Sequence, residues 1–459
     1  MTPNYSRRSA LKAMSCGFGY MAFAGLAAEA AAKESFQNPL APKTPHFEPK
    51  AKRVIMLCMR GGPSHVDTFD YKPMLAKHAG ESPGGVGGLN NQKGRKLMPS
   101  PWKFSQHGES GLPISELYPH LSKHADDLCL INGAYTDIPN HPQALVQLHT
   151  GQFQFVRPSM GAWTLYGLGS ECQDLPGFIT IKPPARLGGA QNYGSAFLPA
   201  IYQGTRVGSV TDTGIGNLEN KNFTGDLQTK QIDLLQSMNR QLAKRHPQNS
   251  QIDGVIESYE LASRMQSAVP EVMSLEKESA PTLKKYGVNE KATNDFGRQC
   301  LLARRLAEAG VRFIELTHEG WDQHSGLKAK LTSNTKATDQ PIAALISDLK
   351  QRDMLKDTLI IWTGEFGRTP AVKKADGRDH NGTGFSMWMA GGGVKGGLRY
   401  GATDEFGITA QVDKFHVHDF HATALHLLGL NHKQLTYRYA GRDFRLTDVY
   451  GKVAKKIIA

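Results

Sequence analysis

Cysteine is scarce in this chain. Five occur in 459 residues and no two form a Cys-x-x-Cys pair, so the thiol-redox and paired-cysteine metal spacings are excluded. Cys58 and Cys129 sit in apolar runs and read as small core hydrophobes. One disulfide among Cys58, Cys129, Cys172 and Cys300 stays open, because spacing cannot show it. Long hydrophobic runs are lacking too. The apolar stretch near the start is shorter and richer in Gly and Ala than the roughly 20 residues that a spanning helix needs, so no transmembrane span is expected in the mature chain. Acidic excess is also missing: the formal net charge is +12. There is no nucleic-acid motif and no single dense basic face, so nucleic acid is not an expected partner. Anionic partners, such as acidic polysaccharides or phosphate esters, are. No internal repeat is visible.

What is present begins with "SRRSALKAMSCGFGYMAFAGLAAEAAA" (6–32). An arginine pair, a short apolar stretch and an Ala-rich cleavage zone are the pattern of a twin-arginine export signal spanning 1–33. The expected consequences are handling by the twin-arginine translocation machinery and residence in the periplasm or cell envelope. Removing this segment takes away four basic residues and one acid, which leaves a net charge of +9.

Composition supports a real core, with 39% hydrophobic and 21% charged residues. Continuous apolar runs at 53–59, 127–133, 177–181, 311–317, 357–363 and 385–391 predict buried strands. Amphipathic stretches at 293–310, 340–355 and 418–430 predict helices between or after them. Strands alternating with helices predict an α/β fold: a three-layer α/β/α sandwich on a mostly parallel sheet. The domain is expected over 50–435, with a Gly-, Ser- and Lys-rich insertion at about 75–115, a helical one at about 210–290, and a tail at 436–459.

Four apolar strands run straight into polar clusters. "RGGPSHVDTFD" carries Ser64, His65, Asp67 and Asp70. "YTDIPNH" carries Thr136, Asp137, Asn140 and His141. "THEGWDQH" carries His318, Glu319, Asp322 and His324. "TGEFGRTP" carries Glu365 and Arg368 and is soon followed by "GRDHNG", with Asp379 and His380. In a parallel sheet these strand ends share one edge, where ligands bind. Carboxylates and imidazoles gathered there suit hard or borderline divalent cations. The plain alternative for each cluster alone is a cap or a hydrogen-bonded turn. His416, His418, His421 and His426 read as capping and interface histidines.

A resemblance enters on these residues. "HDFHATALHLLGL", "IIWTGEFGRTP", "DHNG…FSMWMAGGGVKGG" and "TDIPNHPQALVQLHTG" resemble core segments of sulfatases and other members of the alkaline phosphatase superfamily. With "GGPSHVDTFDYKP" and "GWDQH", they are most similar to its domain of unknown function 1501 branch. The resemblance implies a two-metal hydrolase of phosphate or sulfate esters using Zn, Ca, Mg or Mn. Carried over by position, Asp322, His324 and His380, with Asp379 beside them, would hold one metal. Glu365 with Asp67 or Asp137 would help hold the other. Arg368 or His141 would neutralise developing charge. Arg60 and Asn140 would meet substrate. Arg60 stands where the superfamily has a metal-binding Asp, and Phe366 where it has a His. The nucleophile position falls on Asp137, next to Thr136; otherwise Ser64 or a metal-bound hydroxide must act. No Cys-x-Pro-Ser-Arg stretch is present, so a formylglycine sulfatase is not expected. A non-catalytic binding protein on the same scaffold is the alternative expectation.

Overall fold

The computed structural model describes residues 38–83, 94–208, 225–246, 250–373 and 376–459. The export-signal reading at 1–33 and parts of both expected insertions lie outside the described residues.

Among the described residues nine strands form the central sheet: β1 (Arg53–Met59), β2 (Leu128–Tyr135), β3 (Phe178–Ile181), β4 (Thr205–Val207), β5 (Phe313–His318), β6 (Thr358–Thr363), β7 (Phe385–Ala390), β8 (Leu398–Tyr400) and β9 (Phe415–His416). The order is β8-β2-β7-β6-β1-β5-β3-β4, with β9 also on β2. β7 is antiparallel to both β2 and β6, and all other pairings are parallel. The carboxyl ends of β1, β2, β5 and β6 therefore meet the amino end of β7 at one edge. β6 and β7 are buried at every position. This is the mark of strands covered on both faces, and it explains why their sequences are continuous apolar runs rather than alternating ones.

The covering helices include α1 (His141–Thr150), α2 (Met160–Leu168), α3 (Gly225–Arg245), α4 (Ser250–Met273), α5 (Asn294–Glu308), α6 (Leu327–Gln351) and α7 (Val417–Leu427). His149 of α1 reaches Glu315 of β5, whereas Phe296 of α5 packs on His318 of the same strand, centroids 5.3 Å apart. Residues 315 and 318 point to opposite sheet faces, so α1 and α5 lie in different layers. α7 joins α1, with His421 Nε2 2.7 Å from the Leu148 carbonyl. α6 joins α5 through the Arg304–Asp348 ion pair at 3.2 Å. The α/β fold is thus the expected one.

Helix α6 begins earlier than the sequence pattern suggests. Gln340-Pro341 looks like a first turn, since proline suits that position, yet the helix starts at Leu327 and carries Pro341 inside it. Leu327, Leu331, Thr335 and Thr338 are buried at helical spacing, and the Thr335 and Thr338 hydroxyls bond back to the carbonyls of Leu331 and Asn334 at 2.9 Å. Packing of this face outweighs the bond lost at proline. Residues 436–459 are docked onto the domain: strands 437–439 and 442–444 pair, Ile457 is buried, and the Ala459 amide donates to the Gly393 carbonyl at 2.8 Å. All four described cysteines are free. Among the described residues no helix is long and apolar enough to cross a membrane.

Candidate metal centre at the carboxyl edge of the sheet

Asp322 is the hub of the strand-end residues. Its Oδ1 lies 3.3 Å from His141 Nε2, 3.1 Å from His324 Nε2 and 3.4 Å from His380 Nε2. His324 Nε2 and His380 Nε2 are 2.9 Å apart. Each histidine comes from a different element. His141 opens α1, where Pro142 occupies the first turn and left-handed Gly151 ends the helix. Asp322 and His324 follow β5, and His380 precedes β7.

The other ring nitrogens are all held by acceptors. His141 Nδ1 sits 2.5 Å from Glu365 Oε1, His324 Nδ1 2.9 Å from Asp379 Oδ1, and His380 Nδ1 2.8 Å from the Pro139 carbonyl. An imidazole that donates from Nδ1 presents its lone pair at Nε2. Three Nε2 lone pairs therefore converge on one carboxylate oxygen. A tetrahedron with bonds of about 2.0–2.1 Å has edges of about 3.3 Å, close to the four separations above. The buried His141 Nε2 faces Asp322 Oδ1 at 3.3 Å. His141, Asp322 and His380 each place a ligating atom within 4.8 Å of the others, His324 Nε2 stands beside Asp322 and His380, and these donor types fit a divalent cation.

With protons as the only cations, the cluster is electrostatically tense. Burial disfavours charge on His141, but hydrogen bonds to Asp322 and Glu365 raise its pKa to about 9. Burial raises Asp322, yet His141, His380 and Arg368 together hold it well below the carboxylate range.

The strand-end acid Glu365 is fully buried and does not stand in the ring of converging Nε2 atoms. It accepts the Gly61 amide at 3.0 and 3.1 Å and holds His141. Asp379 likewise holds His324, and its second oxygen meets Arg95 at 2.5 Å. Burial disfavours the Asp379 carboxylate, but His324 and Arg95 lower its pKa. Arg368 is fully buried. It donates to the carbonyls of Gly61, Gly62 and Arg378, and to Asp322 Oδ1 at 2.6 Å. It fastens three loops to the hub, and the remaining lone pairs of the Asp322 carboxylate stay open to a cation. Phe366 packs against His141 and His380, centroids 4.8 and 4.6 Å away. Gly61, with φ +122°, leaves no room for a Cβ, which would fall 2.5 Å from the Asp322 amide nitrogen.

Other residues singled out from the sequence are engaged elsewhere. Asp67 is buried in a two-point pair with Arg378 at 2.6 and 3.0 Å and accepts from Ser64 Oγ at 2.6 Å. Asp70 is taken up by Arg399 and Lys72. The Thr136 hydroxyl is buried and donates to Gln147 at 2.8 Å. Asp137 is half-exposed; its hydrogen bond from His416 keeps it below the usual carboxylate range. Arg60 pairs with Glu319 at 2.5 Å at the rim. Asn140 is exposed and precedes α1. His416 caps α7 in a reciprocal box with Asp419. Sequence reasoning passed over Arg95, Arg378 and Gln147. Arg378 had one signal, its place inside "GRDHNG"; Arg95 lies in an unpatterned basic loop.

A model of the protein family DUF1501, of unknown function, matches residues 51–458. No match was found among curated proteins. Among solved structures, the chain is similar to the lipoteichoic acid synthase LtaP from Listeria monocytogenes, at 10% identity and TM-score 0.40 over 90% of this chain and 79% of that one. It is similar to the PsFucS1 sulfatase from Pseudoalteromonas sp. at 12% identity and TM-score 0.33, over 83% and 68%. It is also similar to the alkaline phosphatase from the Antarctic bacterium TAB5 at 11% identity and TM-score 0.32, over 75% and 92%. With the family match running through nearly the whole described domain, the chain belongs to the DUF1501 family.

Proposed function

We propose that His141, Asp322, His324 and His380 hold a divalent cation, and that the chain is an exported, metal-dependent hydrolase of phosphate or sulfate esters. One observation carries this reading: three histidines, each with Nδ1 tied to a separate acceptor, aim Nε2 at the same Asp322 oxygen. Such outer partners orient and strengthen metal-binding imidazoles. A bound cation would supply Lewis-acid polarisation of a phosphoryl or sulfuryl oxygen. The chain's own residues would do the rest. Glu365, Asp379 and Arg368 hold the hub rigid. Arg60 at the rim and the exposed Asn140 side chain would orient an anionic ester, such as a group on a polysaccharide. Zn fits the His-rich set; Ca and Mg prefer all-oxygen shells.

A second reading, a non-catalytic envelope protein that binds anionic glycans or proteins, is favoured by a specific observation. The hydroxyls of Ser64 and Thr136 are both buried and committed to hydrogen bonds, which leaves no free nucleophile among them. Ester turnover by the metal-loaded chain, lost in Asp322→Ala, supports the hydrolase. Metal binding without turnover of any phosphate or sulfate ester supports the binder.

A further inference from the structure

A second cluster lies inside the sheet layer and shares no residue with the centre above. Cys58 is on β1, Glu315 on the adjacent β5, and His149 on α1, which covers that face. The parallel register pairs Met56 with Glu315 and Cys58 with Thr317. With a side-chain period of two, Cys58, Glu315 and Thr317 therefore point to the same face. All three cluster members are buried, with exposures of 1, 4 and 1% for Cys58, His149 and Glu315. One ligating atom from each lies within 4.8 Å of the others.

The local bonding leaves donors unused. His149 Nδ1 is 2.7 Å from the Leu145 carbonyl, one turn back in its own helix, and Nε2 is 3.1 Å from Glu315 Oε1. The same imidazole meets the Cys58 thiol. Among the described residues, Glu315 Oε2 has no hydrogen-bond partner, nor has Thr317 Oγ1, nor Thr180 Oγ1 on the strand paired with Glu315. Buried polar atoms without partners are rare and call for an unseen group. A carboxylate in the middle of a buried strand is costlier still.

We propose that Cys58, His149 and Glu315 form a buried structural site for one borderline-soft divalent cation of the Zn2+ type. Sulfur, imidazole and carboxylate donors together match that ion class and disfavour Mg2+ or Ca2+. The 3.1 Å Nε2–Oε1 separation is close to the roughly 3.3 Å edge expected for such a shell. Glu315 Oε2 is the available further donor. Charge balances in both states. Without metal, one proton on His149, 3.1 Å from Glu315 Oε1, and one on Cys58 balance the cluster. The cluster is then an imidazolium, a carboxylate and a thiol, with no net charge. Binding Zn2+ expels two protons, one from His149 and one from Cys58. Thiolate, neutral imidazole, carboxylate and cation again sum to zero. The enclosure implies loading as the chain folds.

The test uses sulfur as its marker, since the strand-end centre has none. The full chain is produced in cobalt-supplemented medium and purified without chelators. A sulfur-to-cobalt charge-transfer band is expected, retained in Asp322→Ala, His380→Ala and Cys172→Ser, and lost in Cys58→Ser. X-ray absorption of the zinc-loaded wild type should show one sulfur per chain at about 2.3 Å, averaged over the two sites; it decides the matter even if Cys58→Ser does not fold. Bound metal with no sulfur neighbour overturns the proposal. So does a charge-transfer band that survives in folded Cys58→Ser, or a chain whose metal is wholly lost on Asp322→Ala.

Discussion

Replacing Glu365 with glutamine changes one atom, removes the charge behind His141 and puts a donor where the site has only acceptors. In the wild type one carboxylate serves two donors: the Gly61 amide at 3.0 and 3.1 Å and His141 Nδ1 at 2.5 Å. Glutamine has one acceptor oxygen, and its NH2 group can only donate. If the NH2 takes the Oε2 place, the remaining oxygen still accepts from Gly61 and His141, but a second donor stands 3.1 Å from the Gly61 amide and the negative charge behind His141 is gone. If the NH2 faces His141, Nδ1 must become the acceptor, and the ring proton moves to Nε2. That proton then points at Asp322 and removes one of the lone pairs. Loss of such an outer partner weakens metal binding by about 10–100-fold, or about 1.4–2.8 kcal/mol. Titration calorimetry of Zn2+ into chelator-stripped wild type and Glu365→Gln would read this directly, with circular dichroism to confirm the fold. An affinity unchanged within twofold would refute the role assigned to Glu365.

Three further outcomes follow from the same geometry. Gly61→Ala would force a Cβ to 2.5 Å from the Asp322 amide nitrogen at φ +122°, costing about 1–3 kcal/mol in a urea unfolding series and weakening metal binding as the Asp322 loop shifts; unchanged stability would contradict the packing. Arg368→Ala would strand the buried carbonyls of Gly61 and Gly62 and take one cation from the half-exposed Asp322, a loss of about 1–3 kcal/mol for each unpaired buried carbonyl. Arg368→Lys should recover little, because an ammonium lacks the planar fork, and full rescue by lysine would refute that. Acid should also destabilise the fold. Burial lowers His318 to about 4 and His421 to about 3, whereas the unfolded chain has His near 6.5. Between about pH 6.5 and 4 the unfolded state holds the extra protons, so stability is full above that window and falls through it. His318 alone contributes about 3 kcal/mol. Urea midpoints that stay flat from pH 7 to 4.5 would contradict this.

Much of the sheet is legible in the residues because burial on both faces writes continuous apolar runs: β1 coincides with "RVIMLCM", and β6 lies within "DTLIIWT". The start of α6 is not legible, since Pro341 looks like a first turn and only the buried face of Leu327 and Leu331 shows otherwise. The clusters past β1, β2, β5 and β6 are visible as acids and histidines at strand ends. Their division of labour is not, because sequence does not show which way a side chain points. Glu365 and Asp379 grip histidines, Asp67 turns to Arg378, and Asp322 alone stands where the three Nε2 atoms meet. The buried cluster is harder still. Cys58 reads as a core hydrophobe, and the single visible signal is an acid, Glu315, inside the apolar run of β5.

The most direct test of the central claim is the metal content per chain of protein purified without chelators, measured beside Asp322→Ala and His380→Ala. The predicted result is that each folded variant holds one equivalent of divalent metal fewer than the wild type, the equivalent at Cys58, His149 and Glu315 being retained. Identical metal content in all three would contradict a centre built on Asp322. The His141–Glu365 and Arg368–Asp322 contacts would then be ion pairs that only tie the loops together.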